Sequence, residues 1–439
     1  MMNLKITPIS NSLNGEITAP GSKSYSHRSF IAASLAEGIS IINNPLTSGD
    51  VEITINVLRS LGVKILKKSD NAYIVKADKD FFRSYKKVLD CKNSGTTIRI
   101  FSALSLLFKD GLRLKGEFFK LNRPIHPLLE ALKQLGADFK LSSSKLKIKR
   151  KEGFCNKIWI QGDKSSQFIT ALLFLCPQLR CDNKDYIEIE FTTPLVSKPF
   201  VDITLDVLDA FGINIQANFE IGKIYITNDQ NYRSQSYTIP GDFSSAAFIL
   251  AVAALSKKPS SIIVNNLSIS NSQGDKKIID ILTEMGANIK IEEEKDQIIV
   301  NGDFKAFPLK GKEIDCKDIP DLFPVLSVVG AFADGNTVLY NASHLRLKET
   351  DRISIMAREL RKMGVKVIEE DDKLTIFHCD KLNGIKIDHN SDHRIAMACS
   401  VAALYADSSS QILSGEIVND SYPSFFEDLK KLGAQIENI

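Results

Sequence analysis

Two patterns of apolar and polar residues alternate along the whole chain. In the first, a cluster of small polar residues opens an almost unbroken apolar segment, as in "NSGTTIRIFSALSLLF", "SSQFITALLFLC", "SSAAFILAVAAL", "PDLFPVLSVVGAF" and "DHRIAMACSVAALYA". A helix that is apolar on every side has no face for solvent, so these segments predict buried helices. In the second, apolar residues recur at helical spacing, stop at a glycine and then alternate with polar ones: "LRSLGVKI", "LKQLGADF", "LDAFGINI", "LTEMGANI", "LRKMGVKV" and "LKKLGAQI". Each predicts an amphipathic helix closed by a left-handed residue, a conformation Gly reaches without a Cβ clash, followed by a strand.

The spacing of these phrases is regular. The closing glycines are Gly62, Gly136, Gly212, Gly286, Gly364 and Gly433, at intervals of 74, 76, 74, 78 and 69 residues. A polar helix start lies 41 to 47 residues before each, beginning with "GSKSYSHRSFIAASLA" in the first copy. Two independent phrases in one phase imply one supersecondary unit used six times: buried helix, strand, amphipathic helix, then a hairpin such as "VKILKKSDNAYIVKA". The sixth copy ends at Ile439 one strand short, and the N-terminal "NLKITPI" can supply that strand, which puts both chain ends in one domain. The polar stretch "NDQNYRSQSY" (228–237) separates copies 1–3 from copies 4–6 and reads as a linker. The expected division is residues 20–235 against residues 1–19 plus 236–439, in keeping with a length of 439 residues, too long for one typical core.

Composition narrows the function classes. With 44% hydrophobic residues, 25% charged residues and a formal charge of +3, the chain reads as an ordinary globular protein, and its scattered lysines select neither nucleic acid nor a membrane surface. Seven cysteines (Cys91, Cys155, Cys176, Cys181, Cys316, Cys379, Cys399), without C-x-x-C or a His-rich segment, argue against a disulfide framework or structural zinc. The start "MMNLKITPISNS" lacks the features of a signal peptide, and no apolar run reaches the roughly 18 residues of a membrane span. A cytoplasmic protein is expected.

The helix starts carry the candidate chemistry. A helix N-terminus leaves backbone N–H groups unpaired and holds the positive end of the macrodipole, so it favours anions. Lys23 and Arg28 stand at the first start, Arg99 inside the second, and Asp392, His393 and Arg394 at the sixth, while "LNRPIHP" sets Arg123 before Pro124. "LRLKETDRISIM" gathers Arg346, Lys348, Glu349, Asp351 and Arg352, and "DIPDLFPVL" puts Asp321 at the head of an apolar helix. The bland readings are N-caps for the hydroxyls and acids and surface ion pairs for the charged cluster. Cations beside the hydroxyls are more than capping needs, and they favour anion binding. Copy four, "PGDFSSAAF", has no cation nearby in sequence and reads as a plain cap.

Read together, "PGSKSYSHR", "NSGTTIR", "RPI", "GDKSSQF", "PLVSKPFVDIT", "PGDFSSAAF", "NSQGD", "DIPDLFPVL", "KETDR" and "DHRIAM" resemble, in order, the motifs of the EPSP synthase (3-phosphoshikimate 1-carboxyvinyltransferase) family of enolpyruvyl transferases, from about Pro20 to Pro423. That resemblance implies an α/β (α+β) fold, a two-domain inside-out α/β barrel of six βαβαββ repeats, three per domain, with the active site in the interdomain cleft. The implied reaction transfers the enolpyruvyl group of phosphoenolpyruvate to the 5-hydroxyl of shikimate 3-phosphate, releasing phosphate, in the shikimate pathway to aromatic amino acids. It implies no metal or organic cofactor, small-molecule substrates, no nucleic acid or membrane partner, and a monomer.

Carried over by motif, Asp321 accepts the hydroxyl proton, Glu349 delivers a proton to C3 of phosphoenolpyruvate, and Lys23 assists phosphate departure. Shikimate 3-phosphate falls to Lys23, Ser24, Arg28, Ser165, Ser166, Gln167, Ser197, Asp321, His344 and Lys348. Phosphoenolpyruvate falls to Lys23, Asn93, Gly95, Arg123, Gln167, Arg352 and Arg394. The resemblance also implies sensitivity to glyphosate, because Gly95 keeps the space that Ala closes in tolerant members.

Four residues depart from the pattern. Lys92 replaces a usual Gly, Phe200 a common Tyr, and His344 an Asn found in some members, while Asp420 stands where many members place a Lys on phosphoenolpyruvate. Lys92 is a candidate to compensate for that missing lysine, and the departures leave a catalytically weakened binding homologue as one alternative. The other is UDP-N-acetylglucosamine enolpyruvyltransferase, which has Asn after the first-motif Lys and a reactive Cys ahead of an Arg-Pro. Here Ser24 follows Lys23 and "FFKLNRP" has no Cys.

Overall fold

All six phrase-closing glycines adopt left-handed backbone, with φ of 105° at Gly62, 79° at Gly136, 80° at Gly212, 120° at Gly286, 92° at Gly364 and 109° at Gly433. Any side chain there would be strained, and so the helix-stop phrase is readable from sequence. The computed structural model describes residues 2–77, 82, 84–121, 123–151, 156–179 and 185–439; Cys155 and Cys181 lie outside them.

Each copy contributes two helices: α1 (Lys23–Leu35) and α2 (Gly49–Ser60), α3 (Gly95–Leu104) and α4 (His126–Gln134), α5 (Ser166–Leu175) and α6 (Pro199–Ala210), α7 (Phe243–Ala254) and α8 (Lys277–Met285), α9 (Phe323–Phe332) and α10 (Arg352–Lys362), α11 (His393–Leu404) and α12 (Phe425–Lys431). Every residue of α3, α7, α9 and α11 is buried, as an all-round apolar helix requires. The second helices bury one face; in α2 it is Val51, Thr54, Ile55, Val57 and Leu58. The first helix differs, because α1 buries Ser26, His27, Arg28 and Ser29 as well as its apolar residues.

Six four-stranded sheets share one order. In the second copy Val88–Asp90 runs parallel to Leu112–Lys115, which pairs antiparallel with Lys145–Arg150, itself antiparallel to Ala137–Leu141. The parallel pair is joined through the buried helix, the crossover that parallel strands need. Copies one and four take their first strand from elsewhere in the chain. Ser236–Thr238 runs parallel to Gly38–Asn43, and Asn14–Thr18 runs parallel to Ser260–Asn265. In copy six the N-terminal Leu4–Thr7 lies between Ser410–Ile412 and Gln435–Asn438, antiparallel to both, and fills the missing position.

The chain forms two compact units, Gly21–Ile239 and Met1–Pro20 with Pro240–Ile439, and each has its own apolar core. The strand at 236–238 belongs with copies 1–3, so the structural boundary falls after the expected 235. Nor is 228–237 a free linker. Tyr232 is buried and donates to the Phe174 carbonyl at 3.0 Å, and the Arg233 N–H donates to the Phe211 carbonyl at 2.8 Å. A polar composition hid one anchoring aromatic. Among the described residues, no helix is long and apolar enough to cross a membrane.

Candidate active site

In the unit of copies 1–3 the sequence-predicted residues gather at the starts of α1, α3 and α5. Lys23 Nζ lies 3.2 Å from Asp50 Oδ2, with side chains 15% and 18% exposed. Arg28 turns inward: its Nε donates to Thr204 Oγ1 at 2.8 Å, Nη1 to the Ser24 carbonyl at 2.8 Å, and Nη2 to Thr170 Oγ1 at 3.2 Å and the Phe200 carbonyl at 3.0 Å. Burial lowers its pKa to about 10, against Tyr25, so it stays protonated at neutral pH. Those four bonds leave little of the five-donor fork for a ligand.

At the start of α3, Ser94 Oγ accepts from the Thr97 N–H at 3.4 Å, a cap as the bland reading holds. Gly95 follows, and a Cβ built there would stand 3.0 Å from Arg123 Nη2 and 3.2 Å from Arg99 Nη1. Two guanidinium ends thus border one Gly. Arg123 Nη1 donates to the Asn93 carbonyl at 3.0 Å, fixing Asn93 beside it. Arg99 stacks over Phe118 and Phe168, at 5.0 and 5.2 Å from the ring centroids, and donates to Gln167 Oε1 at 2.6 Å. Gln167 Nε2 donates to Thr96 Oγ1 at 3.1 Å, so both ends of its amide are held.

Ser165 Oγ accepts the Gln167 N–H at 3.3 Å and caps α5, with Ser166 buried next to it. Ser197 is unusual. It has φ of 55°, is 1% exposed, and its hydroxyl has no hydrogen-bond partner among the described residues. A buried hydroxyl left unpaired on left-handed backbone is costly twice over, as expected of a group kept for a ligand.

In the other unit the arrangement centres on Arg352, 1% exposed at the start of α10. Its Nη1 donates to Asp321 Oδ1 at 2.6 Å, its Nη2 to Glu349 Oε2 at 3.0 Å and its Nε to Asp392 Oδ2 at 2.8 Å. Arg394 Nη2 lies 2.9 Å from Asp321 Oδ2, so both Asp321 oxygens are held by guanidiniums. Burial alone would raise the Asp321 carboxyl, but Arg394, Arg352 and Lys348 hold it well below the usual carboxylate range. Asp321 is therefore not a plain helix cap; α9 has no side-chain cap at its start. His344 is 3% exposed and stays neutral, its pKa lowered to about 3 by burial and by Lys348 and Arg352, against Asp321. Lys348 and Glu349 are half-buried beside it in sequence, whereas Arg346 and Asp351 form a peripheral ion pair at 2.7 Å.

Sequence reasoning missed two members of this group, Ser244 and Asp275. Arg394 Nη1 donates to the Ser244 carbonyl at 3.2 Å, bringing a cation to the copy-four start that looked like a simple cap. Asp275, 2% exposed in "NSQGD", accepts from Ser244 Oγ at 2.5 Å and leaves its other oxygen without a partner among the described residues. Burial raises its pKa to about 7, helped by Asp321 and Asp242 and opposed by Arg394 and the Ser244 bond. The intervals of 150 and 31 residues are tertiary, and no local pattern signals them.

What this arrangement can do is hold anions with fixed guanidiniums and helix N-termini while keeping two carboxyls, Asp321 and Glu349, on one arginine for proton transfer. Residues 7–429 match the family model for EPSP synthase (3-phosphoshikimate 1-carboxyvinyltransferase). The chain is similar to proteins named 3-phosphoshikimate 1-carboxyvinyltransferase, at 42% identity in Methanocaldococcus jannaschii, covering 99% of this chain and 100% of the relative, and at 41% in Methanococcus aeolicus, covering 97% of each. Among solved structures it resembles EPSP synthase from Acinetobacter baumannii, with a TM-score of 0.79 at 25% identity over 100% of this chain and 99% of that one. The enolpyruvyl transferase NikO from Streptomyces tendae has the same fold, with a TM-score of 0.78 at 17% identity over 100% of this chain and 99% of that one. Ordered motifs, a repeated α/β fold and full-length relatives converge, and the chain belongs to the EPSP synthase family.

Proposed function

We propose that the protein transfers the enolpyruvyl group of phosphoenolpyruvate to the 5-hydroxyl of shikimate 3-phosphate, yielding 5-enolpyruvylshikimate 3-phosphate and phosphate. The observation that carries this reading is the pair of carboxyls on Arg352, one of them also clamped by Arg394. The 5-hydroxyl oxygen attacks C2 while C3 takes a proton, giving a tetrahedral intermediate; loss of a C3 proton and departure of phosphate restore the double bond. One acid–base group must therefore serve an oxygen and another a carbon, and Asp321 and Glu349 take these roles.

While Arg352 and Arg394 hold Asp321, it is a weak base. A substrate carboxylate competing for the same guanidiniums frees Asp321 oxygens and raises its basicity when the hydroxyl is present. Lys23 assists phosphate departure. Ser24, Ser165, Ser166, Ser197, His344 and Lys348 bind shikimate 3-phosphate, joined by Arg28 through the one N–H that its four bonds leave over, with Gln167 reaching both substrates. Asn93, Gly95, Arg123, Arg352 and Arg394 bind phosphoenolpyruvate. Neutral His344 offers one N–H and one lone pair to a sugar-like hydroxyl, as the Asn of other members does. The protein acts as a cytoplasmic monomer on small molecules alone, and glyphosate competes with phosphoenolpyruvate.

The test is phosphate release from both substrates together, with each alone as control. Release only with both supports the reading, and release no faster than the controls contradicts it. UDP-N-acetylglucosamine in place of shikimate 3-phosphate is expected to give none.

A further inference from the structure

The starts of α1 and α3 carry residues assigned above to the two substrates, and α2 connects them through side chains with no assigned role. Asp50 and Thr54 stand one turn apart on α2, facing Lys23 and His27, one turn apart on α1. Lys23 Nζ lies 3.2 Å from Asp50 Oδ2, and His27 Nδ1 lies 2.8 Å from Thr54 Oγ1. Thr54 Oγ1 is also 2.7 Å from Thr97 Oγ1, which is 2.7 Å from Ser94 Oγ, the cap of α3. His27 is 1% exposed and Ser94, Thr54 and Thr97 are fully buried at 0%, so water does not compete for these bonds.

The chain has a direction. His27 is held neutral, its pKa lowered to about 3 by burial and by Lys23 and Arg28, against Asp50, so one ring nitrogen carries a hydrogen. Nε2 is buried with no partner among the described residues, and a buried N–H without an acceptor is rarer than a bare lone pair. We therefore assign the hydrogen to Nδ1. Thr54 accepts it and donates onward to Thr97, which donates to Ser94; each hydroxyl has one hydrogen to give. Ser94 then accepts both the hydroxyl and the N–H of Thr97, which fixes the first turn of α3.

We propose that Thr54 is a positioning residue for the phosphoenolpyruvate subsite, holding the first turn of α3 through Thr97 and Ser94 and tying it through His27 to the helix start that bears Lys23. This rests on the function proposed above. Thr54 acts through His27 and Thr97, setting where the Gly95 and Thr96 backbone N–H groups stand relative to Lys23.

The experiment compares Thr54→Val, which keeps the shape and removes the hydroxyl, with Thr54→Ser, which keeps the hydroxyl. Steady-state kinetics are read with each substrate varied in turn. For Thr54→Val the KM for phosphoenolpyruvate is expected to rise roughly tenfold, the scale of one lost positioning bond, while the KM for shikimate 3-phosphate stays within about twofold. Thr54→Ser is expected to restore the wild-type KM. A phosphoenolpyruvate KM unchanged in folded Thr54→Val, or a fall in kcat with both KM values unchanged, overturns the proposal. If Thr54→Val does not fold, Thr97→Ala cuts the same chain from α3 and is read by the same KM split. A wild type that turns over while the variants match it sinks this inference alone; a wild type with no turnover sinks the function as well.

Discussion

Arg352 Nη1 stands 2.6 Å from Asp321 Oδ1, and the guanidinium is almost wholly buried. A buried charge pair is costly to break from one side, because the remaining charge is left uncompensated. Here the arginine has Asp392 and Glu349 as further partners, so removing the Asp321 charge does not strand it. Asp321→Asn is therefore expected to fold and to lose activity by about 10²- to 10⁴-fold, the range for a positioned general base. Circular dichroism and single-turnover rates check both halves, and a variant with near-wild-type kcat contradicts the assignment of Asp321.

Gly95→Ala places a methyl 3.0 Å from Arg123 Nη2 and 3.2 Å from Arg123 Cζ and Arg99 Nη1. These are ends of long side chains, which can move, so the fold is expected to hold with little change in Tm. The cost falls on anion binding: the KM for phosphoenolpyruvate rises while that for shikimate 3-phosphate does not, and glyphosate inhibition weakens in parallel. Equal shifts in both KM values would place Gly95 elsewhere.

Lys92 has φ of 45°, a region where a residue with a Cβ is strained and Gly is at ease. That accounts for the Gly usual at this position in the family, and it makes the lysine a charge held at a conformational cost. Lys92→Gly is expected to leave Tm unchanged or higher while raising the KM for phosphoenolpyruvate severalfold by removing a local cation. An unchanged KM rules out compensation for the lysine absent at Asp420.

Two buried groups give opposite pH dependences of stability. His27 falls from 6.5 in its ordinary state to about 3 in the fold, chiefly through burial, so its contribution is present above 6.5 and is lost as pH falls toward 3. Asp275 rises from 3.8 to about 7, again chiefly through burial, so its contribution is full below 3.8 and is lost as pH rises through 7. Denaturant unfolding between pH 4 and 8 is expected to show Asp275→Asn removing a fall in stability between about pH 4 and 7, with the slope above 7 unaltered. A wild-type slope retained in Asp275→Asn contradicts that assignment.

The parts of this molecule readable from sequence are those with local causes. Gly62 and its five counterparts stop helices by backbone conformation alone, and α9 or α11 is buried because it has no polar face. The expected boundary at 235 cuts off the strand at Ser236–Thr238 because its partner, Gly38–Asn43, lies some two hundred positions away. The same limit hid the active-site geometry. Arg28 stands at a helix start like Lys23, yet Thr170 and Thr204 draw it inward. Arg394 reaches Ser244 from another copy, and His27 and Thr54 look like an ordinary ring and an ordinary hydroxyl until the fold sets them 2.8 Å apart.

The most direct test of the central claim is to follow the reaction of shikimate 3-phosphate and phosphoenolpyruvate by proton NMR in deuterium oxide. A new enol ether on the 5-oxygen is expected, formed in step with phosphate, with deuterium appearing in its vinyl group because C3 is protonated and deprotonated in each turnover. Phosphate release accompanied by pyruvate and no enol ether, or no reaction of either substrate, would contradict it.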